Sequence, residues 1–570
     1  MKQTLWKYFI LFIVAFAFLL RVYRIDSIPP SLSWDEVSIG YNAYSLLKTG
    51  RDEHGKIFPL DAFAGYGDYK PPVAIYLTIP SVAVFGLNEF AIRFPAAFFG
   101  TLTVLLTYFL VSELFNSRVF LFRQGFHLRR DFGGQVGGQT NFKFQIALLS
   151  SLLLAVSPWH INISRAGFEA TIALFFVVLG VFALLRTREQ KKLWYIAWIP
   201  FVIAIYTFNS SRYFIPFFSI GLLFFIWPSW KKTRKEFMFG SIIAGIILLP
   251  LIPHLLSKEA RLRFTEVNIF TDAAVVQKAN LRLERDKGSF ISKILDNRRV
   301  TYGREYLVHF FDHFEPSFLF IKGDGNPKFS IQDVGQLYII EAPFLVIGIF
   351  SLFIVCPEIA VFLLFWLLVS IVPAATARET PHALRILNSL PTWHIFIAFG
   401  IVVFIARVNS GKKSIYYFIC CFALFIFYLC NFAYYLHNYY RHYPVEFSGE
   451  WQYGYRDALI EVKKIESNYS SIIISDTIGR PYMYTLFYMA TDPNEYLKMK
   501  DSVFDNQGFY HVYGFGKYHF GGAVRSPLAA NTLYVWDAGS VPKDARVIKT
   551  IRLLNGSPVL VVFDNGEVTL

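Results

Sequence analysis

Asp35 and Glu36 stand side by side after Trp34, just beyond the first long apolar run of the chain. A carboxylate in an aromatic setting at a membrane surface is partly desolvated and suited to take a proton from a hydroxyl. The same acids also favour a helix start, where they complement the dipole. Neighbours on a helix point in different directions, so the two predict different roles. Lys70, in Tyr69-Lys70-Pro71-Pro72, precedes a short apolar segment. An ammonium there can bind a phosphate by charge and helix dipole, or anchor to headgroups. Glu169 opens another apolar run, with Arg165 four residues earlier as a partner or second anion ligand. Arg212, flanked by Tyr206 and Asn209, lies between two runs on the side where Arg is disfavoured. His382 and Arg385, three apart, predict one helical face, with Arg378 close by. Such a cationic face is costly unless it meets an anion or lipid headgroups. An acid with several phosphate-suited cations is what a transferase needs when its donor is a lipid phosphate-sugar. The acid activates an acceptor hydroxyl, and the cations stabilise the leaving phosphate.

The elements that must position these groups are membrane helices. The chain has 570 residues, 54% of them hydrophobic and 18% aromatic, beyond what soluble globular chains carry. Mean hydropathy is +0.41. The formal net charge is +14, but Lys and Arg fall largely in short loops between apolar runs. That pattern sets topology and argues against nucleic acid as a partner. Cys356, Cys420, Cys421 and Cys430 have neither metal-ligand spacing nor the look of a disulfide framework. Apolar runs near 8–23, 94–115, 144–158, 169–185, 193–208, 213–228, 237–253, 339–356, 359–373, 392–406 and 414–433 predict about eleven transmembrane helices. The first run lacks a small-residue cleavage site and reads as a retained helix.

Basic loops at 116–143, 186–192, 230–236 and 407–413 are expected in the cytoplasm, with the N-terminus. Arg118, Arg123, Arg129, Arg130 and Lys143 supply the charge of the first loop, while Arg21 and Arg24 mildly violate the rule. Segment 71–86 is read as an interfacial helix, because a further crossing would put every later basic loop on the wrong side. The expected organisation is a transmembrane domain at 1–433 and a small extracytoplasmic α/β domain at 434–570. Within the first, 24–93 is an outer loop with interfacial helices, including 34–49, and 254–338 is a long outer loop. The tail predicts a helix at 453–467 and strands at 471–476, 532–537, 546–553 and 558–563. It carries no catalytic motif, which suits acceptor binding or scaffolding. GGQVGG at 133–138 lacks a following Gly-Lys-Ser/Thr and reads as a linker.

WDEVSIGYNAYSLLKTG, YKPPVAIYL and FAIRFPAAFFGTLTVLLTYFL resemble the opening of bacterial members of glycosyltransferase family 39. That family includes protein O-mannosyltransferases and the aminoarabinose transferases that modify lipid A, both of the GT-C fold. SPWHINISRAGFEATIALF, GNPKFSIQDVGQLYIIEAPF, ETPHALRILNSLP and WQYGYRDALIEV also look like the bacterial branch, so the resemblance covers most of the chain. It implies a polytopic α-helical membrane protein of GT-C type in the cell membrane. Its implied partners are membrane lipids and a polyprenyl-phosphate-linked sugar used on the outer face. The family's acidic motif falls on Asp35-Glu36, its Lys-Pro-Pro motif on Lys70, and its second acidic position on Glu169, where relatives commonly have Asp. The resemblance makes Asp35 the general base of an inverting transfer, with Glu36 and Glu169 as further catalytic candidates. Lys70, Arg212, His382 and Arg385 become ligands of the donor phosphate. No cofactor is implied; some GT-C relatives use a divalent metal, and Asp35 with Glu169 could hold one, but the resemblance to family 39 argues against a strict requirement and no metal is expected. The β-trefoil insertion of eukaryotic mannosyltransferases is missing, so a protein acceptor is not implied. Competing readings are a lipid-linked sugar flippase that breaks no bond, and a multi-span assembly protein with the tail as a binding module.

Overall fold

Apolar segments surrounded by lipid have no outside partner for their backbone, so they close their hydrogen bonds internally as helices. The computed structural model describes residues 2–66, 68–116, 139–258, 260, 265, 267–409, 414–506, 508–524 and 526–567. Among them, six helices are long and apolar enough to cross a membrane: Glu89–Phe115, Glu169–Arg186, Arg234–Leu256, Pro357–Ala374, Leu387–Val408 and Tyr417–Glu446. A seventh arises if Phe142–Val156 and Pro158–Arg165, bent by 53°, form one broken span. Ser157 makes that break, because its side chain accepts from the His160 N–H and Pro158 takes the first helical position. The expected run 8–23 falls in the first helix, Lys2–Val22, and other expected runs form shorter pieces. Stretch 193–208 divides into a 3-10 turn at Lys191–Tyr195 and a seven-residue helix at Ile199–Ile205. Stretch 213–228 falls in the 17-residue helix Asn209–Phe225, and 339–356 in the 14-residue helix Ala342–Val355. Arg118, Arg123, Arg129 and Arg130, the segment 133–138 and residues 410–413 lie outside the described residues.

The helices share one apolar core, with Trp159, Trp366 and Trp393 among its buried rings. Arg21, at odds with charge topology, is fully buried in it. Its guanidinium donates to the carbonyls of Ala17, Leu154 and Ala155 and meets His160 Nδ1 at 2.6 Å. It is a framework group that joins the first helix to the broken one.

A second core is built by two parts of the chain that lie far apart in sequence. The first part holds helix Trp34–Thr49, the hairpin of β1 (Phe63–Gly65) and β2 (Asp68–Lys70), and helix Val73–Phe85. The second holds helices Tyr455–Ile465 and Pro481–Tyr488 and a seven-stranded sheet. Its strands are β3 (Ser471–Ile474), β4 (Lys500–Phe504), β5 (Tyr510–Phe515), β6 (Tyr518–Phe520), β7 (Thr532–Asp537), β8 (Arg546–Arg552) and β9 (Pro558–Asp564). The order is β4-β5-β6-β3-β7-β9-β8, with β3 parallel to both neighbours and the other pairs antiparallel. Val37, Tyr41 and Ile75 of the first part bury together with Leu459, Ile474 and Leu486 of the second. Tyr484 donates to the Leu32 carbonyl at 2.9 Å, and Tyr41 to that of Thr491 at 3.2 Å. Ala91 and Ile92 tie this core to the start of helix Glu89–Asn116.

Candidate active site

The two adjacent acids are separated by one capping motif. Ser33 caps helix Trp34–Thr49, and its N–H donates to Glu36 Oε2 at 2.8 Å while its side chain accepts from the Glu36 N–H. Glu36 is therefore folded back against the helix start. Arg93 Nε donates to its Oε1 at 2.8 Å, and the Gly167 N–H to the same oxygen at 2.9 Å. A Cβ on Gly167 would lie 3.2 Å from Glu36 Cγ, so a side chain there would press this contact apart. Arg93 also donates to the carbonyls of Ile25, Pro29 and Ser31. Both side chains of the pair are fully buried. Glu36 thus sits among framework contacts, where the sequence reading placed a catalytic candidate.

Asp35, one position earlier, faces the other way. Its Oδ1 meets Lys70 Nζ at 2.8 Å, while its side chain stays 36% exposed. The β1–β2 hairpin delivers Lys70 by pairing it with Phe63, and Asp68 on the same strand lies 3.9 Å from its ammonium. Burial pulls the Lys70 pKa down, but the charges of Asp35, Glu169 and Asp68 outweigh it and hold the group above its ordinary value. Lys70 was expected at a helix start; it ends a strand, and the helix begins at Val73 behind a Pro72 cap. Glu169 opens helix Glu169–Arg186 within electrostatic reach of Lys70 and Asp35. Arg212 sits in the first turn of helix Asn209–Phe225, within reach of Asp68. Its Nε donates to the Ile205 carbonyl at 3.3 Å, and its buried Nη2 has no hydrogen-bond partner among the described residues. Asp35, Lys70, Glu169 and Arg212 therefore form one cluster.

Arg165 does not join it. Helix Pro158–Arg165 ends before Glu169, so the spacing of four does not run along one helix. Its guanidinium is buried and donates to Tyr439 Oη and to the carbonyls of Leu20, Tyr23 and Ile28.

His382 and Arg385 belong to a second node. The segment carrying them is bends and turns rather than a helix, so a shared helical face is not what unites them. What unites them is Asp324, which is 4% exposed. Its Oδ2 accepts from the Ala383 N–H at 2.6 Å, and its Oδ1 from the Asn326 N–H at 2.8 Å. His382 Nδ1 lies 3.8 Å away, and Arg385 is in electrostatic reach. Burial pushes the Asp324 carboxyl up to about 6 against those hydrogen bonds. The His382 ring packs on Phe329 at 5.0 Å, and Phe329 on Phe168, the residue before Glu169, at 5.5 Å. Lys328, next in the chain, places its ammonium 4.5 Å from the Trp34 ring centre and within reach of Asp35.

Asp68, Lys328 and Asp324 escaped the sequence reading. Asp68 and Asp324 flank the motifs YKPP and GNPKFSIQDVGQ, and Lys328 lies inside the second, but nothing local to them announces partners far along the chain. Among the described residues, no group of three or more His, Cys, Asp or Glu side chains is placed to hold a metal ion. Asp35 and Glu169, the two acids considered for one, have the Lys70 ammonium as their shared cation. Beside Asp35 opens a cavity of about 650 Å³, walled by Trp34, Tyr66 and Asp68 on one side and by loops of the sheet on the other.

Residues 11–121 match the family described as dolichyl-phosphate-mannose-protein mannosyltransferase, a stretch that contains Asp35 and Lys70. The resemblance to glycosyltransferase family 39 is thus carried by a family model as well as by the motifs. A stretch of 183 residues is 24% identical to a Bacillus subtilis protein named "Putative mannosyltransferase YycA", covering 32% of this chain and 22% of that protein. Another of 185 residues is 25% identical to an uncharacterized protein of Aquifex aeolicus, covering 32% of this chain and 31% of that one. In each case the match spans less than a third of the relative's own length. In fold the chain is similar to ArnT from Cupriavidus metallidurans in its apo state, with a TM-score of 0.51 over 99% of this chain and 98% of that one. Sequence identity over that superposition is 11%, so what the two share is the helical GT-C architecture.

Proposed function

We propose that this chain is a multi-pass cell-membrane glycosyltransferase that moves a monosaccharide from a polyprenyl-phosphate donor to an acceptor hydroxyl, with inversion. In this reading the chain crosses the membrane about eleven times. The N-terminus is cytoplasmic, and the sheet domain and first loop lie together on the outer face. The observation that carries the proposal is the placement of Asp35: one oxygen fixed by a buried ammonium at 2.8 Å, and the side chain still open beside a large cavity. A carboxylate so held keeps its charge and its direction, which is what a general base requires.

The acceptor oxygen attacks the anomeric carbon and its proton passes to Asp35. The bond from that carbon to the phosphate oxygen breaks, and polyprenyl phosphate leaves with the electron pair. Arg212, with a buried donor to spare, meets the negative charge that develops on the leaving phosphate. Lys70 holds Asp35 and adds positive charge between the acids, the part a divalent ion would otherwise play. Glu169 tunes that ammonium from the far side. Glu36 keeps the helix start in place, and His382 with Arg385 hold the loop that brings Lys328 over Trp34.

Asp35→Asn is expected to lower sugar transfer by about 10²–10⁴-fold, the usual worth of a positioned base, while the protein still folds and inserts, Asp68 and Glu169 remaining near the Lys70 ammonium. Mass spectrometry of glycolipids and glycoproteins from cells making either form reads the outcome. Wild-type transfer by the variant removes Asp35 as the base. Sugar that stays on its donor lipid with the native protein would point to a flippase instead.

A further inference from the structure

The cavity beside Asp35 has a second wall that the transferase reading does not use. It is formed by residues of 476–482, in the loop after β3 and the first turn of helix Pro481–Tyr488, by 509–513 at the start of β5, and by 520–522 at the end of β6. β3 and β6 are parallel neighbours, so the loops leaving both emerge at the same, carboxyl edge of the sheet. Beyond that edge is where open α/β sheets hold small ligands, and here it faces the base.

We infer that this wall binds the acceptor, and that the acceptor is a neutral carbohydrate; the inference rests on the transferase reading above. Three observations point there. The volume, about 650 Å³, lies inside the usual range of small-molecule sites. The lining is rich in aromatic rings from both walls: Trp34 and Tyr66 on one side, and Tyr482, Phe509, Tyr513 and Phe520 on the other. Such rings offer flat apolar faces to the C–H side of a sugar, and the exposed Tyr513 adds a hydroxyl, whereas those of Tyr66 and Tyr482 are taken by the Trp34 carbonyl and Glu53. The charged lining is mostly acidic. Asp35, Asp68 and Asp476 face the cavity against the single guanidinium of Arg480. Arg480 is itself laid over the Tyr66 ring at 5.0 Å. Carboxylates accept hydrogen bonds from sugar hydroxyls, and the Lys70 ammonium that pairs with Asp35 and lies near Asp68 does not itself line this cavity. Gly479, at φ 137°, lets the chain turn flat against the Trp34 ring, which joins the two walls.

The test uses the full-length protein in nanodiscs and saturation-transfer NMR with three neutral trisaccharides: α-mannotriose, maltotriose and chitotriose. At least one is expected to receive saturation and to bind about tenfold more weakly to Arg480→Ala. Tyr513 is 55% exposed, so Tyr513→Ala leaves the core untouched and serves as the second variant; the same weakening is expected. Three results would overturn the inference: no transfer to any of the three, stronger binding of tri-galacturonate or a Ser/Thr-rich peptide, or both variants binding like the native protein. Undecaprenyl phosphate binding, followed on the same samples by native mass spectrometry, separates this from the reading beneath it. If a trisaccharide binds in the cleft but the lipid phosphate does not bind, the transferase reading fails while the carbohydrate site stands. If the lipid phosphate binds and no neutral sugar does, the cleft assignment alone fails.

Discussion

The two sides of the helix that starts at Trp34 treat the same chemical group in opposite ways. On the inner side Glu36 is closed in by Ser33, Arg93 and Gly167, with no exposure left. On the outer side Asp35 is held by one ammonium and opens on a cavity. A buried carboxylate with every neighbour committed fixes geometry. One beside an ammonium and with an open flank can exchange a proton. Adjacent acids in a motif need not share an environment: the helix cap closes Glu36 into the interior and leaves Asp35 open to the cavity.

Removing a framework partner should damage the fold more than anything done at the open side. Arg93→Ala strands the Glu36 charge in the interior and is expected to cost about 3–5 kcal/mol. A thermal midpoint close to that of the native protein would erase the distinction drawn between the two sides. Asp324, also closed in, offers a smaller version. Asp324→Ala orphans the N–H groups of Asn326 and Ala383 and should cost about 1–3 kcal/mol, read again from thermal unfolding. If it instead abolished transfer with unchanged stability, the His382 node would move to the chemical side.

The third case is the pH dependence of the shared core, where Glu53 is buried beside the partly buried His54. Burial raises the Glu53 carboxyl from 4.5 to about 8 and lowers the His54 imidazole from 6.5 to about 4. Between 4.5 and 6.5 the two act against each other, since the fold retains the Glu53 proton while excluding one from His54. Above 6.5 only the glutamate contributes, and stability falls as pH rises towards 8, by about 2 kcal/mol at most. Glu53→Gln should flatten that slope. A midpoint independent of pH over this range in the native protein would show that Glu53 is already ionised in the fold.

What the sequence made legible follows from how local each signal is. Helix Trp34–Thr49 is announced within four residues, because Ser33 and Glu36 form its cap. The tail has a helix at Tyr455–Ile465 and strands β3, β7, β8 and β9 at the places where β-branched runs pointed. β4, β5 and β6 were not visible: they are short, mix Lys, Asp, His and Gly with aromatics, and sit at one edge. Three-residue spacing misled at His382 and Arg385, where turns replace the helix that the spacing assumes. Asp35, Lys70, Glu169 and Arg212 could be named from motif and charge, but their convergence depends on a hairpin and three helix starts. Lys328 reaches Trp34 across almost three hundred positions, a distance over which residue type carries no signal.

The shared second core has a consequence in time. The apolar face of helix Trp34–Thr49 leaves the ribosome roughly 400 residues before its partner helix Tyr455–Ile465 is made. At about 5–20 residues per second, that is an interval of roughly 20–80 s. Throughout it, Val37, Tyr41 and Ile75 lack the surface that finally covers them. The surroundings of Asp35 and Lys70 are consequently among the last parts of the protein to be finished, and a chain truncated before residue 455 would carry both without the second half of the core that packs on their helix and hairpin.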